Sequence, residues 1–278
     1  MDTPFVSTAW LAARLDDPQL AIVDASWYLP TAGRDAQAEY REGHIPGAVF
    51  FDIDAIADRT TDLPHMLPPP DAFARAVGAL GIGDGMTIVV YDEAGLFSAP
   101  RAWWTFATMG AADVRILEGG GAQWRAEGRP LERGEAQRAP ARFTPAFRPG
   151  LVRDFDGVRE TLAGRGQVAD ARPAGRFAGH EPEPRPGARR GHMPGAVSVP
   201  VSALVADGRL KPVAELQPLF AAAGLDLDKP VVTSCGSGVT AATLLLALRL
   251  AGASDVALYD GSWAEWGVRP DAEVVTEG

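Results

Sequence analysis

The chain holds one cysteine, Cys235, and its neighbours make it the first residue to examine for chemistry. It lies in the run P-V-V-T-S-C-G-S-G-V-T-A-A-T-L-L-L-A-L, residues 230–248. Val231 and Val232 read as a buried strand, and the apolar residues beyond Thr240 as a helix starting near that position. A thiol at such a junction sits at the carboxyl end of a strand, where open α/β sheets hold their ligands. Gly236 and Gly238 let the backbone turn its N–H groups inward, and these groups and the helix N-terminus favour an anion. The same field favours thiolate over thiol, and the thiolate is the nucleophile. The plainer alternative is a buried, inert cysteine; it leaves the Gly-x-Gly spacing unexplained.

Several chemistries are excluded at once. A cysteine phosphatase clamps phosphate with an arginine six positions after the nucleophile, and that position is Ala241. A papain-like protease needs a histidine base. Of the four histidines, His44 and His192 stand in a repeated G-H-x-P-G-A-V turn that suggests a structural task. The glycine run Gly81–Gly85 precedes a strand instead of following one, so it reads as a turn and not as a dinucleotide fingerprint. One cysteine excludes an internal disulfide and a Cys-rich zinc site, and no histidine pair has i, i+4 spacing.

Lys plus Arg number 26 against 36 Asp plus Glu, a net charge of −10. That balance argues against nucleic acid or an anionic membrane as a partner. The longest apolar run, Val239–Leu248, is about half of a bilayer span. Met1-Asp2-Thr3-Pro4 has no basic stretch leading into an apolar one, so the expected location is the cytoplasm.

The elements that must position Cys235 occur twice. Residues 43–49 read G-H-I-P-G-A-V and residues 191–197 G-H-M-P-G-A-V. Residues 113–124, D-V-R-I-L-E-G-G-G-A-Q-W, match 255–266, D-V-A-L-Y-D-G-S-W-A-E-W, at an offset of 142. In copy one, strands are expected at Ala21–Val23, Ala48–Phe51, Thr87–Tyr91 and Val114–Leu117. In copy two they are expected at Gln167–Ala169, Ala196–Val199, Pro230–Thr233 and Val256–Tyr259. Asp71–Leu80, Pro100–Met109, Val213–Ala223 and Thr240–Leu250 have helical character. Strands alternating with helices predict an α/β fold: two tandem domains, each a mostly parallel sheet flanked by helices. The expected boundaries are a first domain over 1–131, a proline- and arginine-rich linker over 132–150 and a second domain over 151–278. Carried to Cys235, the offset of 142 pairs it with Glu93. A carboxylate cannot carry sulfane sulfur, so the first copy is expected to be catalytically inactive.

C-G-S-G-V-T-A, the duplicated G-H-[IM]-P-G-A-V and R-F-A-G-H-E-P-E-P-R (176–185) resemble the sulfurtransferases of the rhodanese superfamily. The resemblance covers nearly the whole chain. It implies two rhodanese-like domains with the reactive cysteine in the second and the site at the domain interface. Family members that use thiosulfate carry basic residues after the cysteine. Gly236 and Ser237 stand there instead, the pattern of members that use a keto-thiol, 3-mercaptopyruvate. The implied reaction moves sulfane sulfur through a Cys235 persulfide to a thiol, a thioredoxin-type dithiol or cyanide, and releases pyruvate. No cofactor, metal or organic, is required. The alternatives are a thiosulfate:cyanide sulfurtransferase and a non-catalytic sulfur-carrier or redox-sensing module.

By the same resemblance Arg176 and Arg185 bind the donor carboxylate, together with the loop residues Gly236, Gly238, Val239 and Thr240. Residues 171–192 hold five arginines against two glutamates, a local charge of +3 in an acidic chain. Arg172, Arg189 and Arg190 are left as ordinary solvated charges. The segment F-F-D-I-D-A-I-A-D-R-T-T-D-L-P-H-M-L-P (50–68) matches the family segment that reaches towards the cleft. Asp54 and His65 match the acid and the histidine proposed, with Ser237, as a proton relay. A histidine suits that task near neutral pH. Asp58 and Asp62 compete with Asp54; a turn or cap role is the plain alternative for His65, a strand-end or N-cap role for Asp54. Thr240 is explained equally well as a helix cap. With no second cysteine the chain cannot resolve its own persulfide, so the acceptor comes from outside.

Overall fold

A computed structural model of the chain describes residues 3–164 and 166–277. The chain groups into two compact units. The first holds the residues up to Asp58, Leu67–Arg148 and Asp207–Arg209; the second holds Arg59–Met66, Pro149–Ala206 and the residues from Leu210 on.

The first half runs β1 (Phe5–Val6), α1 (Thr8–Ala12), β2 (Leu20–Asp24), α2 (Ala36–Glu42), β3 (Val49–Phe50), α3 (Pro70–Ala79), β4 (Thr87–Tyr91), α4 (Ala99–Thr108), β5 (Asp113–Leu117) and α5 (Gly120–Ala126). The second runs β6 (Val152–Arg153), α6 (Phe155–Ala163), β7 (Gln167–Asp170), α7 (Ala174–Ala178), β8 (Val197–Ser198), α8 (Val201–Leu204), β9 (Val205–Ala206), β10 (Arg209–Leu210), α9 (Val213–Ala222), β11 (Val231–Ser234), α10 (Val239–Ala251), β12 (Val256–Tyr259) and α11 (Ser262–Trp266).

Each half builds a five-stranded sheet, in the order β1-β5-β4-β2-β3 and β6-β12-β11-β7-β8. The pairings described in both sheets are parallel. The order is the same in both halves, so the sequence repeat is a repeat of topology. The central strands are apolar on both faces, as helices on both sides of a parallel sheet require. Ile88–Tyr91 of β4 and all of β11 are buried. Ile22, Val89, Leu117 and Trp124 belong to the first core; Val158, Val168, Val232 and Trp266 belong to the second. Between β9 and β10, Asp207 and Gly208 both take positive φ, 51° and 69°, the backbone of a two-residue hairpin turn. Among the described residues, no helix is long and apolar enough to cross a membrane.

The expected elements lie within a residue or two of the observed ones. The edge strands β1 and β6 were not expected; two residues carry no period. The segment expected as a linker has no regular element over 133–148, yet groups with the first unit. Glu132 bridges His44, Ala141 N–H donates to Gly78 C=O, and Phe143 is buried. The Gly81–Gly85 run is a turn before β4, with φ of 76° and 78° at its two ends.

Candidate active site

Cys235 directly follows β11, the central strand of the second sheet, and α10 begins at Val239. Gly238, at φ 79°, is the helix N-cap. It needs its glycine, because L side chains disfavour that backbone. Gly236 does not have positive φ, and a Cβ there would meet nothing within 4 Å. Its missing side chain therefore relieves neither strain nor a clash. Thr240 is the second helical residue, not the cap, which corrects that alternative.

Cys235 is only 2% exposed. The reason is local: Ser234, Ser237, Gly238 and Val239 around it are buried as well, and α11 closes the backbone side of the loop. Trp263 N–H donates to Cys235 C=O and Ala264 N–H to Gly236 C=O, both at 2.9 Å. A trans peptide points its N–H opposite its C=O. Holding these two carbonyls against α11 therefore turns the N–H groups of Gly236 and Ser237 to the other side, into the concavity of the loop. A developing anion is stabilised by donors fixed in this way.

The first copy contains the same loop with different contents. Asp24 of β2 pairs with Tyr91, and Asp170 of β7 pairs with Ser234, so Tyr91 and Ser234 correspond. The next residues are Asp92 and Cys235. Gly95 and Gly238 then correspond as well, with φ of 78° and 79°. Gly121 N–H donates to Asp92 C=O (3.1 Å) as Trp263 N–H does to Cys235 C=O. The counterpart of Cys235 is therefore Asp92, not Glu93. The offset is 143 at the central strand and 142 only from β5 and β12 onward. The Asp92 carboxylate accepts five backbone N–H groups: Ala94 and Leu96 on Oδ1, Phe97, Ser98 and Ala99 on Oδ2, at 2.7–3.1 Å. In the cysteine-free copy, this loop encloses its own anion.

Arg172 is 1% exposed and is not the solvated charge expected. Its guanidinium makes a paired contact with Asp170 (Nε–Oδ2 2.9 Å, Nη2–Oδ2 2.7 Å). It also donates to Glu183 Oε1 and to Gly191 C=O, both at 2.8 Å, and lies 4.0 Å over the Trp263 ring. Burial works against its charge, but Asp170 and Glu183 outweigh it and raise the pKa. Burial also raises Glu183, opposed by Arg172 and Arg176. Glu183 thus ties the 180–190 loop to the end of β7. Arg176 Nη1 lies 4.0 Å from Glu183 Oε2, and Arg185 Nη1 reaches Gly236 C=O at 3.4 Å. The loop expected to bind a carboxylate therefore brings Arg185 to the cysteine loop. Arg189 is also not merely solvated: it donates to the carbonyls of Trp266, Gly267, Arg269 and Ala272. Its task is to cap the end of α11.

His65 is buried at φ 61° in the segment Arg59–Met66, which groups with the second unit although it comes from the first half of the chain. Asp62 shares that segment. Asp54 and Asp58 belong to the first unit, where Asp54 Oδ2 accepts from the Trp27 indole at 2.9 Å. His44 and His192 have the structural task expected of them. Each ring nitrogen Nδ1 bonds a backbone carbonyl, of Tyr40 and Phe177, and each ring stacks on that same residue.

Sequence reasoning overlooked four contributors: Asp92, Arg172, Glu183 and Ser262. Cys235 N–H donates to Ser262 Oγ at 3.2 Å, and Ser262 Oγ donates to Tyr259 C=O at 2.8 Å. The 142 offset already set Ser262 against Gly120, a usable signal.

The model of the rhodanese-like domain matches the chain twice, over residues 7–127 and 156–268. The chain is 48% identical over 274 residues to the 3-mercaptopyruvate sulfurtransferase of Escherichia coli K12, covering 98% of each. It is 45% identical over 282 residues to the human 3-mercaptopyruvate sulfurtransferase, covering 98% of this chain and 95% of that one. The crystal structure of SseA from Escherichia coli, a 3-mercaptopyruvate sulfotransferase with the rhodanese fold, superimposes with a TM-score of 0.87 at 46% identity. That match covers 95% of this chain and all of the other.

Proposed function

This chain belongs to the rhodanese family, and on that premise we propose that it is a 3-mercaptopyruvate sulfurtransferase. The observation that carries the reading is Cys235 at the end of β11, in a loop whose counterpart already wraps a carboxylate. The Cys235 thiolate attacks the sulfur of the keto-thiol. The carbon–sulfur bond breaks, its electron pair stays on carbon as the pyruvate enolate, and the sulfur remains as a Cys235 persulfide. The enolate takes one proton and leaves as pyruvate.

Arg185 and Arg176 hold the donor carboxylate, and the loop N–H groups and Ser237 meet the developing charge. Arg185 reaches the Gly236 C=O of the cysteine loop, and its carboxylate role rests on the family motif. His65 supplies the proton with Ser237; its grouping with the unit that holds Cys235 supports this. The first domain, with Asp92 in the place of cysteine, carries no sulfur. A thiol, a thioredoxin-type dithiol or cyanide takes the outer sulfur, and the reaction takes place in the cytoplasm.

The test is mass spectrometry of the protein after incubation with 3-mercaptopyruvate, with pyruvate assayed in parallel. One added sulfur (about +32 Da) on Cys235 with matching pyruvate is expected. The adduct vanishes in Cys235→Ser, and KM for the donor rises about tenfold or more in Arg185→Ala. An adduct without pyruvate makes the chain a carrier module. A turnover preference for thiosulfate above about tenfold would overturn the donor assignment.

A further inference from the structure

Ser262 has a backbone that serine rarely adopts. It is fully buried and non-glycine, with φ of 50°, and single residues held in the left-handed region carry strain. The matching residue in the first copy is Gly120, at φ 59°, where a Cβ would come within 2.3 Å of Asp92 C=O. The turn after the last strand therefore needs the same backbone in both halves. The half without cysteine uses the residue that adopts it without strain. The half with cysteine places a hydroxyl there.

That hydroxyl has a definite task. It accepts the Cys235 N–H and passes its own proton to Tyr259 C=O. We propose that Ser262 is a positioning residue for sulfur transfer, fixing the Ser234–Cys235 peptide plane and with it the direction in which the Cys235 side chain leaves the backbone. Trp263 and Ala264 hold the next two peptides. Three consecutive peptide groups of the cysteine loop are thus held by three consecutive residues of α11. Only the first of these contacts depends on a side chain, so it can be removed without changing the backbone donors. A sulfur nucleophile must align with the sulfur–carbon bond it breaks, and small errors in such alignment cost large factors in rate. The inference rests on Cys235 being the sulfur-carrying thiol.

Two variants separate positioning from bulk stability. Ser262→Ala and Ser262→Gly both remove the hydroxyl, but only glycine also relieves the strained φ. The Gly variant therefore melts above the Ala variant. Both lose about tenfold in kcat for pyruvate release with KM nearly unchanged, and in both the rate of Cys235 alkylation at fixed pH falls. A merely structural serine would make activity follow melting temperature, with the Gly variant close to wild type. Wild-type alkylation and kcat in Ser262→Gly would overturn the proposal. If the unsubstituted protein releases no pyruvate, the donor assignment fails instead, and the alkylation rates still decide the role of Ser262.

Discussion

Asp92 and Cys235 occupy one position in two copies of the same fold. Each follows the central strand of its sheet, and each has its carbonyl held by an N–H from the segment after the neighbouring strand, at 3.1 and 2.9 Å. The difference lies in the side chain and in what the loop does with it. The five N–H groups on the Asp92 carboxylate show how this backbone receives negative charge.

Asp92→Asn replaces one acceptor oxygen by an NH2 group that faces backbone donors. At least two N–H groups lose their partner, and each buried one costs about 1–3 kcal/mol. The expected loss in urea denaturation is about 3 kcal/mol. Sulfur loading at Cys235 stays at one equivalent. A loss under about 1 kcal/mol would mean that the carboxylate does not hold the loop.

Asp24 and Asp170 stand at matching strand ends, and Asp170 is paired with the Arg172 guanidinium. Burial pushes Asp24 up to about 6, against the opposing hydrogen bonds of Ser26 and Tyr91. The unfolded carboxyl titrates near 4. Between these values the folded chain keeps a proton that the unfolded chain has lost, so stability falls as pH rises through this range, by on the order of 3 kcal/mol. Asp24→Asn removes that dependence. It is expected to leave stability near pH 4 almost unchanged and to raise it at pH 8 by about the same amount. Equal shifts at both pH values in paired denaturation curves would contradict the assignment.

Glu183→Ala leaves Arg172 with Asp170 but takes the carboxylate from Nη1 and from the neighbourhood of Arg176. Breaking one side of a buried charge network costs about 3–5 kcal/mol. The 180–190 loop loses its tie to β7, and Arg185 moves with it. KM for the donor is expected to rise more than kcat falls, although Glu183 itself need not touch the substrate. A fall in kcat at constant KM would place Glu183 in the chemistry instead.

Much of this was legible in the sequence where apolar runs or glycine spacing carried it. Thr87–Tyr91 and Val256–Tyr259 stand out as strands because both faces are buried, and Cys235 stands out through its Gly-x-Gly turn and the helix after it. Arg172 did not stand out, because nothing in a linear string shows Asp170 and Glu183 converging on it. The position opposite Cys235 was displaced by one residue: a repeat aligned at its last strand need not align at its central one. Ser262 was visible as a serine opposite a glycine, but its meaning needs the backbone angle, which only the structure supplies.

The segment Arg59–Met66 has a practical consequence for dissecting the molecule. A fragment beginning at Pro149 would contain the thiol, its loop and every arginine of the 172–190 stretch, yet lack a piece of its own compact body, including His65. The ancestral duplication has left two halves that no single scissile bond separates. On the proposed role of His65, the carboxyl-terminal half regains sulfur chemistry when the missing peptide is supplied in trans or spliced back into the fragment.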